Sequence, residues 1–491
     1  MKLDWEGEKM AKMIEADIAV MGSGATGLAA ALTAAEAGAK VVVFEKQKSL
    51  GGTSNFFNGT FAVESKMQRE NFIMYSKDEA FKAIMEFTHW RANARLVRTI
   101  VNESPNTIAW LQKCGVEFFG VITIMPHGPR TYHHVKGHGA ALIKVLADRA
   151  MENGVEFHMG TPVTGLLKEG NRVVGVIAEE DGEEIEVAAK AVVIASGGYA
   201  NNKEWMKKYN GLDIGTNIFP VGNVDKMGDG IRLAWEAGAA SAGMEALEMF
   251  AIGPFGPDFE MMNDLELTVL QPDLWVDPLG RRYCDEGIAF FDTSVGNVNS
   301  RYKEATYRII DDTVIGRIET QGLDKHAGSD IPPGSCLYGV RKVLDVALER
   351  GSSEVCMGNT VEELAKNMGV DPAVLRKTVE DYNLCCEQRY DFQFAKDPKF
   401  LRALKGPRYY AVKAHTICIG TKGGIKINEK MEVVDKKESP IKGLYGGGLD
   451  AGGMYGDCYP FNSSPGLSSA YAINSGRIAG RNATEYVLEN R

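Results

Sequence analysis

The stretch ADIAVMGSGATGLAAALTAAEAGAKVVVFEK, residues 16–46, constrains the fold more than any other part of the chain. Its apolar run Ile18, Ala19, Val20 and Met21 predicts a buried strand. That run enters Gly22, Gly24 and Gly27 in GxGxxG spacing, an alanine-rich helix to Gly38, and a second strand over 41–44 that ends at Glu45. In this order the first glycine permits the tight turn, the second lets a pyrophosphate approach the backbone, and the third lets helix and strand pack closely. The helix N-terminus then faces the phosphates, and Glu45 can accept from ribose hydroxyls. The segment therefore predicts a dinucleotide-binding α/β unit, with Gly22, Ser23, Gly24, Ala25, Thr26, Gly27, Glu45 and Lys46 as its contacts.

The remainder of the 491 residues leaves room for two or three domains. With 44% hydrophobic and 24% charged residues the composition is that of a globular protein. A net charge of -10 supplies no basic surplus to neutralise phosphates, so neither nucleic acid nor a membrane is an expected partner. Eight cysteines occur without CxxC or clustered spacing, which argues against c-type haem, an iron-sulphur cluster and a zinc knuckle. The amino terminus lacks the basic-then-apolar order of a secretory signal, and no apolar run reaches a membrane span. A soluble, cytoplasmic protein is expected.

Three further segments separate FAD from NAD. SLGGTSNFFNGT (49–60) follows the acid at once, AVVIASGGYANN (191–202) is an apolar strand entering a glycine turn, and GLYGGGLDAGG (443–453) is another, followed by a helix over about 466–486. Together they resemble the flavoprotein family of soluble fumarate reductases, succinate dehydrogenase flavoprotein subunits and 3-ketosteroid Δ1-dehydrogenases, over nearly the whole chain. The resemblance implies FAD contacts at Gly51, Gly52, Thr53, Ser54, Val163, Ser196, Gly197, Asp229, Asp450, Gly466, Leu467 and Ser468. Covalent members attach FAD through a histidine in the segment matching 51–60, which here contains none, so noncovalent FAD is expected. Only one GxGxxG is present, so the electron donor or acceptor is expected to be external, such as a redox protein.

The expected fold is α/β: a discontinuous Rossmann-like FAD-binding domain, residues 1–243 and 405–491, with residues 244–404 fitting the inserted α+β capping domain that the resemblance implies. Residues 79–113 read as helical. The stretch NRVVGVIAEEDGEEIEVAAKAVVIA (171–195) alternates around Asp-Gly as a hairpin.

The family resemblance implies hydride transfer between flavin N5 and one carbon of a C=C or CH-CH unit, with a protein group handling the proton on the other carbon. Fumarate reductases use an arginine four residues beyond the glutamate of an RFxNE segment. Here the segment is RRYCDE, with Arg282, Tyr283 and Glu286 as candidate catalytic residues, and the arginine position holds Phe290. Two further expected arginines correspond to Val269, after Glu266, and to Ser463. A charge-assisted hydrogen bond to a carboxylate contributes roughly 1.5 to 3 kcal/mol, and phenylalanine offers none. A dicarboxylate is therefore a poor substrate, the charged start of the segment also reads as cap framework, and Phe290 and Phe291 read as the wall of an apolar pocket.

His415 matches the histidine that fumarate reductases place near the substrate, and Tyr459 resembles the C-terminal tyrosine of ketosteroid dehydrogenases, with Gly466 as amide donor. Arg130 offers a further substrate charge partner. The histidines of HGPRTYHHVKGHG (127–139) invite a metal reading, but family members carry a histidine-rich turn here that orders the interdomain loop, and no metal is expected. The leading expectation is an FAD-dependent ene-reductase or dehydrogenase acting on the activated C=C bond of an apolar or aromatic unsaturated carbonyl compound. The alternatives are a 3-oxosteroid dehydrogenase, a fumarate reductase-like enzyme and an electron-transfer flavoprotein subunit.

Overall fold

The computed structural model describes residues 13–125, 128–222 and 224–490. The reading of the amino terminus as free of a secretory signal rests mainly on residues 1–12, which lie outside them, as does His127 of the histidine-rich turn. Among the described residues no helix is long and apolar enough to cross a membrane.

The first lobe is built on a mainly parallel sheet. Strand Met13–Met21 pairs in parallel with Val41–Glu45 on one side and Glu183–Ile194 on the other, and Glu156–Met159 lies beyond Val41–Glu45. Strand Pro440–Gly446, from the far end of the chain, adds in parallel to Glu183–Ile194. Ile18, Val20 and Val43 have no solvent exposure, as expected where helices cover both faces of a parallel sheet. Helices Ala25–Glu36 and Leu467–Glu489 pack backbone against backbone. A Cβ on Gly476 would lie 2.2 Å from the Thr26 carbonyl oxygen, and one on Gly480 2.4 Å from that of Ala30. This approach fixes the start of the C-terminal helix relative to the glycine loop.

The expected hairpin forms between Arg172–Glu180 and Glu183–Ile194, with Glu180 opposite Glu183. Asp181 and Gly182 both have positive φ, 53° and 80°, as a type I′ turn requires. The helical stretch over 79–113 divides into Lys77–Phe87 and Ala94–Cys114. Asn93 ends the link by accepting from the backbone N–H groups of Arg95 and Leu96, so a new helix starts where one was expected to continue.

The second sheet is organised around the long strand Tyr409–Thr421. Its first half pairs antiparallel with Thr306–Asp311 and Val355–Gly358, and its second half with Leu247–Ile252 and, in parallel, Phe219–Pro220. Tyr410, Ala411 and Val412 belong to a core built largely from residues 265–404, whereas Cys418 belongs to the core of the first lobe. The strand therefore crosses from one core to the other, beginning four residues after the sequence-based boundary at 405.

Candidate active site

At the carboxyl ends of the parallel strands lies a cleft, the place where open α/β sheets bind their ligands. It is lined by residues 22–26 of the glycine loop, by Glu45 and Lys46 at the end of the second strand, by residues 51–54, and by Val163, Ser196, Gly197 and Asp229. Lining residues not expected from sequence include Phe44, Lys226, Gly447, Leu449 and Ala472. Gly27 stands behind the loop: a Cβ there would lie 1.9 Å from the Gly22 carbonyl oxygen. Asp450 also stands behind the wall, fully buried, accepting from Ser196 Oγ at 2.9 Å and from the N–H groups of Gly197 and Gly198 at 3.0 Å. Burial raises its pKa while these donors oppose the shift.

The cleft fits a dinucleotide. The helix Ala25–Glu36 starts at Gly24 without a side-chain cap, presenting its positive end to the opening. A Cβ on Gly24 would meet its nearest protein atom, Ser54 Oγ, at 3.5 Å, so protein packing does not explain that glycine. Thr53 Oγ1 is buried without a hydrogen-bond partner among the described residues, beside the same opening. Glu45 accepts from the N–H and hydroxyl of Ser23 at 2.9 and 2.7 Å, which holds its carboxylate across the loop. Lys46 pairs with Asp229 at 2.8 Å and Asp225 at 3.0 Å. Burial works against its ammonium, but the two carboxylates outweigh that and raise its pKa.

A second group of polar side chains lies past the cleft, at the start of the C-terminal helix. Lys422 is fully buried and is bonded to Ser468 Oγ and ion-paired with Glu248. The rings of Tyr459 and Tyr455 stand 5.0 and 5.5 Å from its ammonium. Tyr459 accepts from the Ser468 N–H at 3.1 Å, and burial followed by the charge of Glu248 holds its pKa well above that of a free phenol. Tyr132 comes close to this group, since a Cβ on Gly466 would meet its ring at 2.9 Å. Lys226 joins the cleft to the cluster: burial, with help from the charge of Lys422, lowers its pKa to about 8. Glu248 sits at a register shift in Leu247–Ile252, a bulge of the kind that re-aims a side chain.

The sequence expectation included Gly466, Leu467, Ser468 and Tyr459, which the fold brings together at the helix start, but it missed Lys422, Glu248, Tyr132 and Lys226. The available signal was a lone charge in an apolar run, as in ALEMFAI and CIGTKGGI, because a buried charge needs a partner. Phe250 and Phe461 stack edge to face at 5.3 Å, Tyr459 follows at 6.0 Å, and Phe291 packs against the same core.

Several expected residues lie elsewhere. Arg282 uses its guanidinium N–H groups on Glu286, Asp391 and Gln393, with bonds of 2.7–2.8 Å to both carboxylates. Glu286 also pairs with Lys396 at 3.2 Å, and all these charged side chains are buried in the cap. This saturated network leaves Arg282 and Glu286 no free donor or acceptor pair for a substrate, so their expected catalytic role is replaced by a framework one. Tyr283 donates to Asn299 at 2.7 Å and accepts from Arg308 at 2.8 Å, again inside the cap. Phe290 turns onto Phe400 at 5.1 Å, so the neighbour Phe291, and not Phe290, reaches the first lobe's core.

His415 is bonded through Nε2 to Glu354 at 2.6 Å and packs edge-on to Phe219. Six residues of extended strand, at about 3.3 Å each, separate it from Thr421 by roughly 20 Å. It therefore stands far from the cluster, because a strand match fixes identity but not distance along the sheet. Ser463 donates to Pro460 O at 3.3 Å, Val269 is buried in the cap core, and exposed Arg130 donates to Val121 O at 2.9 Å.

The family described as FAD binding domain matches residues 17–465. A curated vinyl phenol reductase from Lactiplantibacillus plantarum is 33% identical over 486 residues, 97% of this chain and 98% of that protein. The open conformation of a flavocytochrome c3 fumarate reductase aligns with a TM-score of 0.75 at 25% identity, covering 97% of this chain and 79% of that one. A 3-ketosteroid-Δ4-(5α)-dehydrogenase from Rhodococcus jostii RHA1 shares the fold with a TM-score of 0.73 at 22% identity, over 97% and 98% of the two chains.

Proposed function

We propose, from the premise that this chain belongs to the FAD binding domain family, that it is an FAD-dependent oxidoreductase reducing the activated C=C bond of an apolar or aromatic substrate. The observation that carries the substrate class is the chemistry of the cluster past the cleft. Lys422 is already paired with Glu248, the other buried ammonium, Lys226, donates to the Ile419 carbonyl oxygen at 2.9 Å, and the three positions where the fumarate reductase pattern expects arginine hold Phe290, Val269 and Ser463. A dicarboxylate would lose its hydration there without charged partners, a costly transfer. An aromatic ring instead meets Phe250, Phe291 and Phe461.

When bound and reduced by an external electron donor, FAD would supply the hydride for one carbon of the double bond. The residues of the cleft would hold it, with the glycine loop and Thr53 at the pyrophosphate and Glu45 at a ribose, and residues 466–468, past the cleft, would lie nearer the flavin. Tyr459 keeps its proton at neutral pH, because burial disfavours the phenolate, and its oxygen already accepts from Ser468. Its own O–H is therefore available to donate to an oxygen of the substrate or to the second carbon. Lys422, neutralised by Glu248, bonds Ser468 and so positions the residue whose N–H donates to Tyr459. The relative named vinyl phenol reductase supports a hydroxylated styrene as the first substrate to try. The aromatic wall extends the same reading to aryl enones and acrylates, and electrons come from an external donor.

The test is anaerobic. The bound flavin is reduced, and recovery of its oxidised absorbance is followed with a vinyl phenol, an aryl acrylate, a 3-oxosteroid enone and fumarate in separate runs. Fast recovery with the vinyl phenol or acrylate and none with fumarate is expected. Fast recovery with fumarate would overturn the argument from the missing arginines, and recovery with the steroid alone would favour the dehydrogenase alternative.

A further inference from the structure

His134, His138 and Asp330 form, among the described residues, one group able to hold a metal ion, outside the cleft and the cluster. His134 ends near the edge of strand Tyr132–Val135, and His138 opens the helix His138–Glu152. Asp330 comes from a loop of the proposed cap, almost two hundred residues later. Both imidazoles present Nε2 to one carboxylate: His134 to Oδ1 at 3.1 Å and His138 to Oδ2 at 2.9 Å. Their rings stack nearly parallel, 14° apart at 5.8 Å, so the two nitrogens point the same way. All three ligand atoms lie within 4.8 Å of one another.

We propose that this triad binds a divalent transition-metal ion, zinc being the best match, and that the ion straps the loop around Asp330 to the nucleotide-binding lobe. Two imidazoles and a carboxylate suit zinc and its neighbours, whereas magnesium and calcium prefer oxygen donors. Bonds of about 2.0–2.2 Å in tetrahedral array separate ligand atoms by roughly 3.4 Å, so each N···O distance must open by a few tenths of an ångström while all three ligand atoms already lie within 4.8 Å of one another. His134 is buried, but His138 and Asp330 are 37% and 46% exposed, which leaves a face for water to complete the coordination. The loop is already positioned: Asn58 Nδ2 donates to Ser329 Oγ at 3.1 Å, and that hydroxyl lies 3.0 Å from His134 Nε2. His138 holds a left-handed φ of 60°, which an L residue adopts only under constraint. An ion binding only the docked arrangement favours docking by mass action.

The test uses the full FAD-loaded chain, stripped with a chelator and dialysed against zinc at neutral pH, with bound metal counted by elemental analysis. One zinc per chain is expected in the wild type. Loss of a mere outer-shell partner weakens a metal site about 10- to 100-fold, so Asp330→Asn and His138→Gln should each weaken binding at least that much. Both residues are partly exposed, so these variants should fold, and unchanged flavin content checks that they do. Cobalt(II) gives a second readout, a visible absorption band expected in the wild type and lost in both variants. Slower hydrogen exchange in residues 324–335 with zinc is expected for the strap. Absence of stoichiometric zinc, or zinc retained undiminished in both variants, would overturn the site, and unchanged exchange with zinc bound would overturn the strap.

Discussion

Gly24→Ala separates a glycine kept for a ligand from glycines kept for the fold. An added Cβ at Gly24 meets Ser54 Oγ at 3.5 Å, ordinary van der Waals contact, and Gly24 has an extended backbone with φ -69° that alanine accepts. Folding stability should therefore change by less than about 1 kcal/mol. The methyl group projects where the pyrophosphate approaches the loop. Displacing it from one backbone N–H costs a charge-assisted hydrogen bond, roughly 1.5 to 3 kcal/mol, or about 10- to 150-fold in Kd for FAD. Gly27→Ala should behave oppositely, because its Cβ would lie 1.9 Å from the Gly22 carbonyl oxygen and must push helix from strand. Overpacking of this kind costs about 1 to 3 kcal/mol or more, seen first in the urea midpoint of the apoprotein. The assay is a pair of titrations on each variant, urea unfolding of the apoprotein and FAD binding by quenching of flavin fluorescence. A Gly24→Ala protein that binds FAD as tightly as wild type would refute the placement of the pyrophosphate at this loop.

Arg282→Ala leaves Glu286 and Asp391 buried without their main partner, so a loss of about 3 to 5 kcal/mol in unfolding free energy is expected. A variant of wild-type stability but no turnover would instead restore the catalytic reading of Arg282. Burial raises the pKa values of Glu286 and Asp391, but the cationic partners and hydrogen bonds outweigh it and both are lowered in the folded chain. The stability they contribute is thus present above their unfolded pKa values near 4 and is lost as pH falls below that, which acid titration of unfolding would measure. Tyr459→Phe should lower the rate of flavin reoxidation by a working substrate about 10²- to 10⁴-fold, the span of a proton-transfer contribution, with FAD content unchanged. Equal rates would remove Tyr459 from the chemistry. His415→Ala, far along the strand, should leave that rate within about twofold, whereas Lys422→Met should lower it, and the opposite pattern would reinstate the histidine.

The sequence by itself determined the nucleotide-binding half of this protein. Its information there is local: strand, glycine turn, helix and acid follow one another within thirty residues, and the Asp-Gly hairpin is dictated by two positive φ angles at adjacent positions. The cleft residues Gly22 and Glu45 were legible because each belongs to a short motif whose geometry needs that residue type, whereas Thr53 and Asp229 came from the family resemblance. The catalytic half was legible only in part, since its partners meet across long stretches of chain. Lys422 finds Glu248 and Ser468, His134 finds Asp330, and Arg282 closes on Asp391, none of which spacing reveals. RRYCDE entered the candidate catalytic set through its match to the family's RFxNE segment, although its charged start also read as framework. The fold buries those charges against a distant aspartate, and once its donors are saturated, an arginine of the right type has nothing left to offer a substrate. Tertiary structure alone decided which of the two adjacent phenylalanines faces the first lobe, because consecutive side chains leave the backbone in different directions and only the packed cap determines which direction is inward.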